Sequence, residues 1–211
     1  MSKFLNYFDP PAPATFSGHT SFKNTIKNKN KLNDWLLEQE PYTLHKPLRK
    51  KFLREKIISN EIDELWQADL VDVSNISKEN KGFKFLLTVI DAFSKFAWVK
   101  PLKNKTSESI LQALKTIFKS RQPVKFQTDK GREFLNKPVQ EYLKKMNVHF
   151  YTTNSELKDS VVERFNRTFK EKMWRYFTYK NNNDYTKVLD NLVDSYNNTF
   201  HRTIKSTPNN V

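Results

Sequence analysis

The sequence predicts an α/β fold in which a mixed five-stranded sheet carries helices on both faces and is preceded by a basic N-terminal arm. Three observations lead there. Composition changes at Trp66, where polar, Pro- and Lys-punctuated text gives way to β-branched and aromatic clusters. The apolar period then switches from strand-like to helical after Leu102. Finally, three hairpin-spaced strands followed by helix, strand, helix, strand and helix require both hairpins and crossovers, which a mixed sheet covered on both faces satisfies.

Residues 1–60 read as the arm and residues 61–208 as the core. The arm contains Pro10-Pro11-Ala12-Pro13 and the repetitive Lys27-Asn28-Lys29-Asn30-Lys31, a composition too polar to offset its own ordering entropy. Within it Lys46, Arg49, Lys50, Lys51, Arg54 and Lys56 face one acid, Glu55. Such a run is either a solvated linker or a phosphate-contacting arm or nuclear-import signal.

Trp66–Val73, Phe83–Phe93 and Phe96–Leu102 read as strands, separated by Gly82 and the Ser94-Lys95 turn. Ser107–Arg121 places Ile110, Leu111, Leu114, Ile117 and Phe118 at helical spacing, with Ser107 as its cap. Val124–Thr128 is a short fourth strand. Asn136–Asn147 is an amphipathic helix, Val148–Thr152 a fifth strand, and two helices over Ser160–Phe177 and Asp184–Phe200 close the chain.

Among 211 residues, 37 Lys and Arg against 23 Asp and Glu leave a net charge of +14, which points to a polyanionic partner. The absence of cysteine excludes a disulfide scaffold, a thiolate nucleophile and a Cys-ligated zinc site. His19, His45, His149 and His201 are scattered, with no zinc-ligand spacing. No secretory leader or membrane-length apolar run is present, so a soluble chain is expected, nuclear or otherwise cytoplasmic and not secreted.

In so basic a chain, carboxylates inside apolar text are informative. Asp69 sits in Trp66-Gln67-Ala68-Asp69-Leu70-Val71-Asp72-Val73, a buried-strand pattern in which an unpaired charge is costly. Asp72 falls on the opposite strand face. Asp129 ends the fourth strand in Thr128-Asp129-Lys130-Gly131, where the plain reading is a turn and the functional one a ligand at a strand's carboxyl end. Glu163 opens a helix after Ser160, so its plain reading is a capping box. Its helix also places Glu163, Asn166, Arg167 and Lys170 on one face, opposite Val162, Phe165, Phe169, Met173 and Tyr176. Three convergent acids repel unless divalent cations neutralise them. Two Mg²⁺ or Mn²⁺ ions on Asp69, Asp129 and Glu163 would support in-line phosphoryl displacement, with the basic stripe holding flanking phosphates.

At these residues the chain resembles the catalytic core of DDE-type integrases of retroviruses and retrotransposons, and looks closest to those of large self-synthesising DNA transposons. The resemblance runs through Trp66-Gln67-Ala68-Asp69, Val89-Ile90-Asp91-Ala92-Phe93-Ser94, Gln127-Thr128-Asp129-Lys130-Gly131-Arg132-Glu133-Phe134 and Val162-Glu163-Arg164-Phe165-Asn166-Arg167. It implies an RNase H-like fold, metal binding by Asp69, Asp129 and Glu163, and DNA contact by Asn166, Arg167 and Lys170. The implied reactions are trimming of element ends and attack of the freed 3′-hydroxyl on target double-stranded DNA, by a dimer or higher oligomer. Asp91 is then structural, and Trp66 and Gln67 support Asp69. The sequence departs from the family in a shorter stretch between Asp129 and Glu163, an acid at Asp159, and no cysteines for the zinc-binding module that usually precedes such cores. The same residues would also suit a silent DNA-binding remnant or a metal-dependent nuclease.

Overall fold

The computed structural model describes residues 7–12, 15–18, 29–46, 57–152 and 161–211. In chain order the elements are α1 (Lys29–Leu37), α2 (Glu40–Thr43), β1 (Leu65–Asp72), β2 (Phe85–Asp91), β3 (Ala97–Leu102), α3 (Ser107–Phe118), β4 (Lys125–Thr128), α4 (Lys137–Lys145), β5 (His149–Thr152), α5 (Val161–Lys180) and α6 (Leu189–Asn197). They fall into two compact units, residues 54–166 and residues 1–53 with 167–211.

Residues 54–166 hold the sheet, ordered β3-β2-β1-β4-β5. β1, β2 and β3 pair antiparallel as hairpins, whereas β4 joins β1 and β5 joins β4 in parallel through the α3 and α4 crossovers. The hairpin turns need left-handed backbone, which Gly82 supplies at φ +79° and Lys95 at φ +63°. Pro101, which cannot donate to a ladder, lies on the edge strand β3.

Alternation along β1 sends Trp66 and Ala68 into one core with Leu87, Val89, Phe126 and the apolar faces of α3 and α4. It sends Gln67 and Asp69 to the opposite face, where the start of α5 is bonded. Thr106, not Ser107, is the N-cap of α3, and Asn136 caps α4 by accepting from Val139 N–H at 3.2 Å. Asp91 is fully buried and structural: its carboxylate accepts from the Ser94 hydroxyl at 2.5 Å and from Arg121 at 2.9 Å. Arg121 also binds Asp63 through two nitrogens and lies over the Phe96 and Trp98 rings.

The second unit contains α1, α2, α6 and α5 from Arg167 onward. Thr15 and Phe16 are fastened there by buried basic side chains. Lys172 donates to the Thr15 carbonyl at 2.8 Å and to Ser195 Oγ at 3.1 Å, and Arg175 donates to the Phe16 carbonyl. Tyr7, Phe8, Phe16, Trp35 and Tyr179 form an aromatic cluster beside them. The helix expected over Asp184–Phe200 forms only over Leu189–Asn197, because the Asp184 carboxylate accepts from Thr186 N–H and Oγ–H and holds the preceding segment in a turn. Its apolar positions Leu189, Leu192, Val193 and Tyr196 are buried. No helix among the described residues is long and apolar enough to cross a membrane.

Candidate functional site

Three elements of residues 54–166 supply the site. Asp69 comes from β1, Asp129 from just beyond β4, and Glu163 from the first turn of α5. β1 and β4 are neighbours in the sheet, paired in parallel at Trp66–Phe126 and Gln67–Gln127, so the chain leaves β4 beside Asp69.

Asp69 is partly buried, and its carboxyl is pushed above the usual carboxylate range. Burial is the largest cause. The Leu70 N–H, 2.7 Å from Oδ1, works against it, the Asp129 carboxylate adds to it, and the Glu163 carboxylate adds less. The two sequence-distant acids are therefore close enough to Asp69 to destabilise its charge. As arranged, no three His, Asp or Glu side chains among the described residues are gathered tightly enough to hold a metal ion. The donors nevertheless fit one: carboxylate oxygens are what Mg²⁺ and Mn²⁺ take, and mutual repulsion is what a divalent cation relieves.

Asp129 and Glu163 are exposed. Asp129 Oδ1 accepts from Gly131 N–H at 3.0 Å, so the turn read from its Asp-x-Gly pattern is present. A Cβ at Gly131 would sit 2.9 Å from Asp129 Oδ1 and 2.7 Å from the Glu133 carboxyl carbon, so those side chains would have to shift to admit one. Glu133, which sequence reading left unassigned, thus lies beside Asp129. Ser160 and Asp159 lie outside the described residues, so the capping box and the extra acid do too.

Asn166 departs from its expected place on an exposed DNA-contacting stripe. It is 6% exposed, and its Nδ2 donates to Asp69 Oδ2 at 2.7 Å. Helical spacing alone could not reveal this, because the stripe's edge is covered by the sheet. Arg167 and Lys170 are exposed, as are Lys130 and Arg132 in the loop after β4. Lys46 is exposed as well, whereas Arg49, Lys50, Lys51 and Arg54 lie outside the described residues.

Beneath Asp69 runs a buried polar chain that sequence reading reached only at Gln67. Gln67 Nε2 donates to Gln127 Oε1 at 3.0 Å, Gln67 Oε1 accepts from Val162 N–H at 3.0 Å, and Tyr151 Oη donates to Gln127 Oε1 at 3.3 Å.

Comparison with known proteins places this geometry. Residues 59–156 match the model of the integrase core domain family. A transposon-derived protein of Caenorhabditis elegans is 38% identical over 141 residues, covering 66% of this chain and 49% of that protein. The Gag-Pol polyprotein of avian reticuloendotheliosis virus is 29% identical over 126 residues, 58% of this chain and 11% of the polyprotein. The chain thus spans about half or less of the curated relatives it matches. Among solved structures, the HTLV-2 integrase catalytic core in complex with magnesium superimposes with a TM-score of 0.58 at 23% identity, over 71% of this chain and 95% of that one. A simian T-cell lymphotropic virus intasome in complex with a PP2A regulatory subunit gives 0.68 at 18%, over 99% and 70%. The fold is that of integrase catalytic cores, RNase H-like, and the relatives matched are transposon-derived and retroviral proteins.

Proposed function

We propose that this chain is the catalytic part of an integrase-like polynucleotidyl transferase from a mobile element, acting on double-stranded DNA by end processing and strand transfer. The observation that carries the reading is geometric: β1, the end of β4 and the start of α5 bring Asp69, Asp129 and Glu163 to one place, close enough that, after burial, Asp129 and then Glu163 add to the upward shift of the Asp69 carboxyl. Asp69, Asp129 and Glu163 would hold two Mg²⁺ or Mn²⁺ ions. Bound there, the cations would activate the attacking oxygen and neutralise charge on the scissile phosphate.

The chain's own residues do the rest. Asn166 orients Asp69 from α5, and Gly131 leaves room for the Asp129 carboxylate. Exposed Lys130, Arg132, Arg167 and Lys170 would take backbone phosphates. No protein nucleophile is needed: water, and then a DNA 3′-hydroxyl, attacks phosphorus as the opposite bridging oxygen leaves. The dimeric and trimeric forms of the HTLV-2 core and the viral intasome support assembly as an oligomer on DNA. Charge and substrate support a nuclear site of action.

The test is incubation with Mn²⁺ and labelled duplex ends beside Asp129→Asn. Joined products lost in the variant support integration. Nicked but unjoined products restrict the activity to a nuclease, and binding without cleavage reduces the protein to a DNA-binding remnant.

A further inference from the structure

Two bonds tie the first two turns of α5 to β1, and they bracket Glu163. Gln67 accepts from Val162 N–H at 3.0 Å, and Asn166 donates to Asp69 at 2.7 Å. Resting on the reading of Asp69, Asp129 and Glu163 as the catalytic acids, we propose that Gln127 and Tyr151 are positioning residues for Glu163, acting through Gln67 on the start of α5.

The direction of every bond in the chain follows from one fixed donor. Val162 N–H belongs to the first turn of α5, where amides have no acceptor in their own helix, and it can only donate. The Gln67 atom facing it is therefore the carbonyl oxygen, which turns the Gln67 NH₂ toward β4. The Gln127 atom that meets this NH₂ must accept, so it is also a carbonyl oxygen, and the Tyr151 hydroxyl against the same oxygen must donate. A single arrangement satisfies all three links from β5 through β4 and β1 to α5.

Water is a poor substitute here. Gln67 is 1% exposed and Gln127 8% exposed, so a broken link strands a buried polar group. Gln67 lies two residues before Asp69 on the same face of β1, and Val162 immediately precedes Glu163. The relay therefore sets the one acid borne by a helix against the acid borne by the central strand. Relative placement of such groups is what a phosphoryl-transfer site is most sensitive to. Without the Gln127 oxygen, Gln67 loses the acceptor that orients it, and the α5 start loses its tie to the sheet.

The experiment uses the full chain carrying Gln127→Leu, Gln127→Glu or Tyr151→Phe. Amide hydrogen–deuterium exchange is followed over residues 161–166, and cleavage of labelled duplex is titrated with Mn²⁺. Gln127→Leu is expected to speed exchange there by about tenfold, the size of one stranded buried bond, and to raise the half-saturating Mn²⁺ concentration while KM for duplex stays unchanged. Gln127→Glu retains oxygens for both donors and is expected to speed exchange less than Gln127→Leu. Tyr151→Phe, which removes one of two donors, gives a smaller rise than Gln127→Leu and serves alone should the leucine variant not fold. Unchanged exchange in both Gln127→Leu and Tyr151→Phe overturns the proposal, as does faster exchange with no change in the Mn²⁺ titration. Exchange that responds as expected in a chain whose wild type never cleaves leaves the anchoring of α5 standing and removes its catalytic meaning, together with the reading beneath it.

Discussion

Asn166 Nδ2 stands 2.7 Å from Asp69 Oδ2, joining the second turn of α5 to the central strand of the sheet. Asn166 is 6% exposed, and its own carbonyl oxygen has no hydrogen-bond partner among the described residues. A buried amide that satisfies one half of itself on a carboxylate serves the carboxylate's orientation rather than its own. Leu70 N–H holds the other oxygen at 2.7 Å, so both oxygens of Asp69 are fixed from the protein side.

Asn166→Leu removes one of the donors that favour ionised Asp69, so its carboxyl pKa rises further. Asp69 already titrates above its ordinary value, chiefly through burial. For an acid shifted this way the native state binds protons more readily than the unfolded chain, and the group's contribution to stability fades as pH rises through the native pKa. Carbon-detected NMR titration of the metal-free protein should show Asp69 titrating at higher pH in the variant; equal or lower values refute the role.

Lys172 gives the opposite sign. Burial pulls its ammonium down from 10.5 to about 7, with Arg175 contributing. The unfolded chain then binds more protons above pH 7, so stability rises as pH climbs from about 7 toward the ordinary lysine value. The wild-type unfolding midpoint should increase over this range relative to Lys172→Met, and parallel pH curves for the two proteins would contradict the burial.

Arg121→Met leaves the fully buried Asp91 carboxylate without the guanidinium that bonds it, with Lys95 as a remaining nearby cation. The loss is expected to be about 2–4 kcal/mol, dominated by Asp91, because Asp63 is partly solvated. Urea unfolding measures it, and a change below about 1 kcal/mol would mean that water replaces the guanidinium.

Arg167→Ala with Lys170→Ala should weaken duplex binding without sequence preference. Each lost phosphate contact lowers the slope of log affinity against log salt by about one unit, so the pair removes about two. Filter binding at several salt concentrations reads the slope, and an unchanged value excludes both from the DNA surface.

The strands and helices of the sheet-bearing unit were legible because each buries one face, and burial writes its period into the sequence: Leu86 to Asp91 as a buried run, Ile110, Leu114 and Ile117 at helical spacing. Less could be read where side chains bond locally, as at Asp184, whose turn shortens the last helix. The described parts of residues 1–60 show another limit: Thr15 and Phe16 are held by Lys172 and Arg175 from far along the chain, and no local composition announces such partners.

Asp69, Asp129 and Glu163 were identifiable as candidates from sequence, since acids in apolar strand text or at element ends stand out in a basic chain. Their mutual influence, the turning inward of Asn166 and the Gln67–Gln127–Tyr151 relay came only with tertiary structure. Periodicity states which face of an element is buried. The polar groups that meet across that face depend on strand order and on where a helix docks, and both are settled by the packing of the chain as a whole.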